Sequence, residues 1–134
     1  MASNEGRVYF LLGGYNFDPD NLTSLIGLDP TSVNRGGLGV DRPAISSWEI
    51  STEKRTDDEV DIFKMTNDLI KQIEPVKDKL LIAIENYNLV PKFGVSLTLS
   101  VDEDEPAPEM GFGGRAIKFM AELGALIDID VRKH

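Results

Sequence analysis

The sequence predicts an α+β fold: a single mixed or antiparallel sheet of four to five strands, ordered β-α-β-α-α-β-α-β, with helices packed mainly on one face. Three observations carry that expectation. Short β-branched or alternating runs at 7–12, 45–51, 93–101 and 126–131 have the period of strands. Between them lie stretches with helical apolar spacing, each opened by a cap or a proline and closed by glycine or proline. A length of 134 residues suits one domain, so residues 1–134 are expected to share one core. Such a chain buries about two-thirds of its unfolded surface, enough to fold without metal or disulfide.

The first run, Arg7-Val8-Tyr9-Phe10-Leu11-Leu12, is apolar on both faces, as an interior strand is, and Gly13-Gly14 is expected to end it. Asp18 is placed to cap a helix whose first position is Pro19; Leu22, Leu25 and Ile26 form its buried stripe and Gly27 its stop. Residues 29–43 read as loop, rich in glycine and broken by prolines. Asn34-Arg35-Gly36-Gly37-Leu38-Gly39 invites a phosphate-loop reading, but it leads into a strand rather than opening a helix. In the next strand Trp48 and Ile50 face one way and Ser47, Glu49 and Ser51 the other, making Trp48 a core anchor.

Thr56-Asp57-Asp58-Glu59 matches a capping box, and its acids, with Asp61, suit the positive end of a helix dipole. That helix should run to about Ile73, burying Ile62, Met65, Leu69 and Ile73 with Phe63 and Ile70 beside them. Pro75 breaks it and opens another, facing Val76, Leu80, Leu81 and Ile84 inward, with Tyr87, Asn88 and Pro91 at its exit. From 93 to 101, Val95, Leu97, Leu99 and Val101 alternate with Ser96, Thr98 and Ser100, giving one buried and one wet face. The charged run at 102–109 reads as a mobile loop. Gly111-Phe112-Gly113-Gly114 leads into a last helix burying Ile117, Met120 and Leu123 and stopped by Gly124. In the final strand Ile127, Ile129 and Val131 alternate with Asp128 and Asp130. This closing helix-glycine-strand unit and the one near the N-terminus read as matching halves. The uncovered sheet face should be a polar, acidic platform showing Glu49, Ser96, Thr98, Ser100, Asp128 and Asp130.

The net charge of −9 repels nucleic acid, whose binders neutralise phosphates with Lys and Arg, and attracts basic partners. It also keeps a protein soluble. With no cysteine there is no disulfide framework, thiol nucleophile or Cys-based zinc site. Apolar runs are too short to span a bilayer and the N-terminus lacks a secretory pattern, so the expected location is the cytoplasm, with no membrane partner. The one histidine, His134, is the last residue and no base for a preorganised triad. Asp128 and Asp130 stand about 7 Å apart on one strand face. A solvated face is the simpler reading; a shared cation or sugar is the alternative. Gly111–Arg115 reads as a turn and cap, with an anion cradle through Arg115 as the alternative. No cofactor or metal is expected, and no enzymatic role.

Leu25-Ile26-Gly27-Leu28 followed by Asp-Pro-Thr, the Ser47-Trp48 strand entry, the acidic-start helix, and Ala121-Glu122-Leu123-Gly124 before Ile127-Asp128-Ile129-Asp130 resemble one bacterial family, domain of unknown function 4279. The resemblance covers nearly the whole chain. It implies a small cytosolic bacterial protein, of a kind found as the immunity partner of polymorphic or contact-dependent toxins, and it carries no catalytic motif. The function so reached is an acidic interaction protein that occludes the basic cleft of a cognate toxin domain. Candidate contacts are Asp57, Asp58, Glu59 and Asp61; Asp102, Glu103, Asp104 and Glu105; and Asp128 with Asp130. The alternatives are a non-catalytic structural or regulatory module and a carboxylate-based enzyme using Asp128 and Asp130.

Overall fold

The computed structural model describes residues 3–36, 45–102 and 104–133. In chain order its elements are β1 (Glu5–Tyr15), α1 (Pro19–Ile26), β2 (Ser32–Asn34), β3 (Ile45–Ser51), β4 (Arg55–Thr56) and α2 (Ile62–Ile73). After these come α3 (Lys77–Tyr87), β5 (Val90–Leu99), α4 (Gly114–Leu123) and β6 (Leu126–Lys133). The strands form one sheet in the order β2-β3-β1-β5-β6, with β4 also pairing β1. All neighbours are antiparallel except β5 and β6, which run parallel around the α4 crossover.

The two-sided apolarity of 7–12 has its expected meaning: β1 lies between β3 and β5. Its even-numbered side chains Val8, Phe10 and Leu12 are buried with Trp48, Ile50, Phe93, Val95 and Leu97 of the flanking strands. The helices cover this face. Trp48 Nε1 donates to Thr23 Oγ1 of α1 at 3.1 Å, and Phe119 of α4 meets Phe93 edge-on with centroids 6.4 Å apart. Along α2, Ile62, Met65, Leu69, Ile70 and Ile73 are buried, while α3 packs against both α1 and α4. Asp18 caps α1 by accepting from the Asp20 amide, and the left-handed Gly27 and Gly124 end α1 and α4, as their sequence positions predict.

Several local expectations change. The sheet has six strands rather than four or five, because two short pieces join it. Ser32–Asn34 lies in the expected loop, yet it pairs with β3 and sets Val33 opposite Trp48. Gly13 and Gly14 do not end β1; they pair with Ser47 and Ser46. The capping box does not form. Thr56 is taken up in β4, residues Asp57–Glu59 make a 3-10 turn, and Asp61 caps α2 by accepting from the Lys64 amide at 3.1 Å. Pro75 sits in a 3-10 turn, Glu74–Val76, ahead of α3. Leu80 is buried and Val76 and Ile84 pack against the core as expected, but Leu81 is exposed and Ala83 takes a buried place. Val101 lies beyond the end of β5 and is exposed, as are Phe63 of α2 and Ile117 of α4. The two ends are not matching halves, since β5-α4-β6 is a parallel crossover whereas β1 pairs antiparallel with β3. No helix among the described residues is long and apolar enough to cross a membrane.

Two ion pairs lock the helical layer. Arg115 of α4 holds Glu74 through two hydrogen bonds, Nε at 3.0 Å and a terminal nitrogen at 2.6 Å. Lys77 of α3 reaches Glu122 of α4 at 2.6 Å. The hydrogen bond from Arg115 holds the Glu74 carboxyl below its ordinary value, and that from Lys77 does the same for Glu122. Lys77 and Arg115 are raised in turn. Arg115 is thereby committed to Glu74 and not turned toward an anion at the start of α4.

Candidate functional site

An open groove of about 650 Å³ lies between the end of β3, β4 and α2. Its lining includes five carboxylates (Glu53, Asp58, Glu59, Asp61 and Asp68) and two cations, Arg55 and Lys64. Both cations are engaged within the lining: Arg55 lies 3.6 Å from Glu59, and Lys64 lies 2.9 Å from Asp68. Among the described residues Glu53, Asp58 and Asp61 have no cationic partner. Asp61 does have an internal task, the cap of α2.

A second, smaller hollow of about 220 Å³ shares Asp58 and Asp61 with the groove and adds Asp57, Glu105 and Glu109. Two acidic stretches far apart in sequence thus form one ridge. Asn4 joins them. Buried just before β1, it gives its amide to Glu105 Oε1 at 3.0 Å and its side-chain amide to the Pro106 carbonyl at 2.9 Å. Its side-chain oxygen accepts from the Ser100 amide at 2.8 Å, and its carbonyl accepts from the Asp57 amide at 2.9 Å. Farther along, the Ile62 amide donates to the Glu109 carbonyl at 3.1 Å, beside a parallel bridge between Asp61 and Glu109. Asp57 meets this geometry with a positive φ of 54°, which an Asp in a turn tolerates better than most residues.

The 102–109 stretch is thus tied to the body of the protein at both ends. Within it, the Asp104 amide donates to Asp102 Oδ1 at 3.0 Å, and the Glu105 amide donates to the Asp102 carbonyl at 3.1 Å. Glu103 and His134 lie outside the described residues, as does the 37–39 part of the glycine-rich run. Arg35, within that run, pairs with Asp18 and Asp20 of the α1 entrance.

Asp128 and Asp130 are not part of the ridge. They stand on the other face of the sheet, which no helix among the described residues covers, Asp128 3.7 Å from Lys92 and Asp130 3.2 Å from Arg132. That face is polar, but its carboxylates have cations beside them, Glu49 included, with Arg7 at 3.0 Å. At its centre the ring of Tyr9 lies across Gly94, where any Cβ would fall 1.9 Å from Tyr9 Cζ. Arg7 sits 4.7 Å from the ring centroid and Lys92 5.8 Å. The acidic platform is therefore a mixed-charge surface.

Of the ten candidate contacts, Asp57, Asp58, Glu59, Asp61 and Glu105 line the two hollows. Glu53, Asp68, Glu109 and the organising Asn4 were not singled out by sequence, and a lone Asn ahead of a strand carries no local signal that it will be buried. Among the described residues no three His, Cys, Asp or Glu side chains are grouped to hold a metal ion.

What fold and ridge define is a small α+β protein with one acidic concave edge and a mixed-charge open sheet face. The chain belongs to the family described as Domain of unknown function (DUF4279), whose model matches residues 4–134. No curated protein and no solved structure matches it.

Proposed function

We propose that this is an interaction protein whose acidic groove receives a basic protein partner, and that the partner is a cognate toxin domain whose cleft it occludes, as an immunity protein does. One observation carries the reading: carboxylates from 53–61 and 105–109 converge on one ridge where Glu53 and Asp58 have no cation beside them among the described residues. Like charges brought together repel, and a cationic partner relieves that repulsion. The overall charge of −9 adds long-range attraction that speeds encounter. Clefts that handle nucleic acid are positively charged, so a groove-and-ridge surface of opposite sign fits them.

The test is capture of a basic protein from among those encoded beside this chain, with affinity measured as ionic strength rises from about 50 mM to about 500 mM, where screening shortens from beyond 10 Å to a few ångströms. Binding should weaken steeply with salt. It should also weaken on combining Glu53→Gln, Asp58→Asn and Glu109→Gln, which leave the α2 cap in place. Salt-indifferent binding, or full affinity in the triple variant, would remove the groove from the mechanism. Failure to bind any basic neighbour-encoded protein favours the non-catalytic structural or regulatory module instead.

A further inference from the structure

The two edges of the sheet are managed differently. One ends in β2, three residues long. The other ends in β6, eight residues in unbroken parallel register with β5, with no proline and no bulge. Natural sheets blunt a long free edge with such devices or with charged side chains, because its unpaired amides and carbonyls template pairing with another chain. β6 carries Asp128, Asp130, Arg132 and Lys133, but on its core-side face three residues are apolar. Ile127, Ile129 and Val131 continue the core face of Phe93, Val95 and Leu97, yet each remains 45–50% exposed.

We propose that β6 is a self-association surface on which a second copy of this chain pairs antiparallel, with Asp130 of each copy opposite Arg132 of the other. The strand's own charge pattern selects this occupant and this register. A two-fold axis perpendicular to a continuous sheet keeps every side chain on its own face, so the residue lying on the axis fixes all the pairs. An axis at Asp128, Ile129, Asp130 or Arg132 sets like charges directly opposite each other, which is destabilising. Axes at Leu126 and Ile127 oppose no like charges within the strand but make no attractive pair either, whereas an axis at Val131 sets Asp130 against Arg132 twice and has no like-charge pair. On the core face it brings the two Val131 side chains together and lays the Lys133 stem of one copy along Ile129 of the other. Asp130 and Arg132 already lie 3.2 Å apart within one chain, so the paired edge becomes a four-charge cluster of alternating sign. The acidic groove lies across the sheet beside β4 and α2, and the two proposals stand or fall separately.

Sedimentation velocity on the full chain, from about 1 μM to about 500 μM, spans weak to firm dimers. The wild type should pass from monomer to dimer across that range. Arg132→Asp turns both attractive pairs repulsive and should weaken the dimer about tenfold or more. The swap Asp130→Arg with Arg132→Asp restores both pairs and should restore the dimer. Amide hydrogen exchange of residues 129–133 in the wild type should slow as concentration rises, a readout independent of how the variants fold. A wild type monomeric throughout overturns the proposal, and so does exchange in β6 indifferent to concentration. Undiminished dimerisation of Arg132→Asp, or a folded swap that stays monomeric, overturns the register.

Discussion

Asn4→Ala removes the side chain that ties the 100–109 stretch to the start of β1. Two hydrogen bonds are lost, to the Ser100 amide at 2.8 Å and the Pro106 carbonyl at 2.9 Å, while the two made by the Asn4 backbone survive. An intramolecular hydrogen bond contributes a net of about 1 kcal/mol. Ser100 is only half-buried and Pro106 exposed, so water reaches both and the full penalty of an orphaned buried group does not apply. The expected loss is therefore about 2 kcal/mol. Urea unfolding should show a lower midpoint with an unchanged slope, since the surface exposed on unfolding is the same. Native-state exchange of the Ser100 and Glu105 amides should accelerate, while that of Phe10 in β1 changes only by the global loss. Asn4→Asp is the informative companion: it can still accept from Ser100 but cannot donate to Pro106, and it sets a carboxylate beside Glu105. It should do no better than alanine. A loss below about 0.5 kcal/mol with unchanged exchange at Ser100 would refute the account of Asn4 as the joint of the ridge.

The interhelical ion pairs set an acid limb of stability. Glu74 and Glu122 titrate below the ordinary 4.5 when folded, so their contribution is present above that value and is lost as pH falls through the lowered one. Lys77, raised above 10.5, contributes below that pH and loses it as pH rises through the raised value. Melting temperature should thus fall less between pH 6 and pH 3 in Glu74→Gln with Glu122→Gln than in the wild type; parallel declines would contradict this. Gly94→Ala forces Tyr9 off its seat and should cost about 1–3 kcal/mol, as overpacking does. In a Tyr9→Ala background the same change should be neutral or stabilising, because alanine suits a strand better than glycine. Equal cost in both backgrounds, measured as a double-mutant cycle, would show that the ring is not the obstacle.

Legibility in the sequence followed the range of the interaction concerned. The middle position of β1, the anchoring of Trp48, the Asp18-Pro19 entry and the Gly27 and Gly124 stops are each set by a residue's own chemistry or by neighbours a few positions away, and they could be read directly. Alternation in 126–131 told which residues share a face, but not whether a helix covers that face; Ile127, Ile129 and Val131 are on the core side and still exposed. In α3 the spacing of Val76, Leu80 and Ile84 marked the inward face, but Leu81, one step round the helix from Leu80, lies outside it. At the site, 57–61 and 102–105 were visible as acidic runs. Their meeting depends on Asn4 and on the Asp61–Glu109 bridge, contacts between residues far apart in sequence with no local signature. Asp128 looked equivalent to the others because nothing local announces Lys92 of another strand as its neighbour, whereas Arg132, two residues beyond Asp130, was legible once the strand is carried past Val131.

The placement of β1 has a consequence for biosynthesis. The strand against which β3, β4 and β5 all pair is synthesised before them, carrying Phe10 and Leu12, and its second long flank does not begin until Val90. At about 5–20 residues per second, that interval lasts several seconds. For that time this apolar segment of the nascent polypeptide has no partner on one side, a natural target for chaperones that capture extended hydrophobic stretches. Because the ladders close such long loops, folding after release is expected to be slow for a protein of this size.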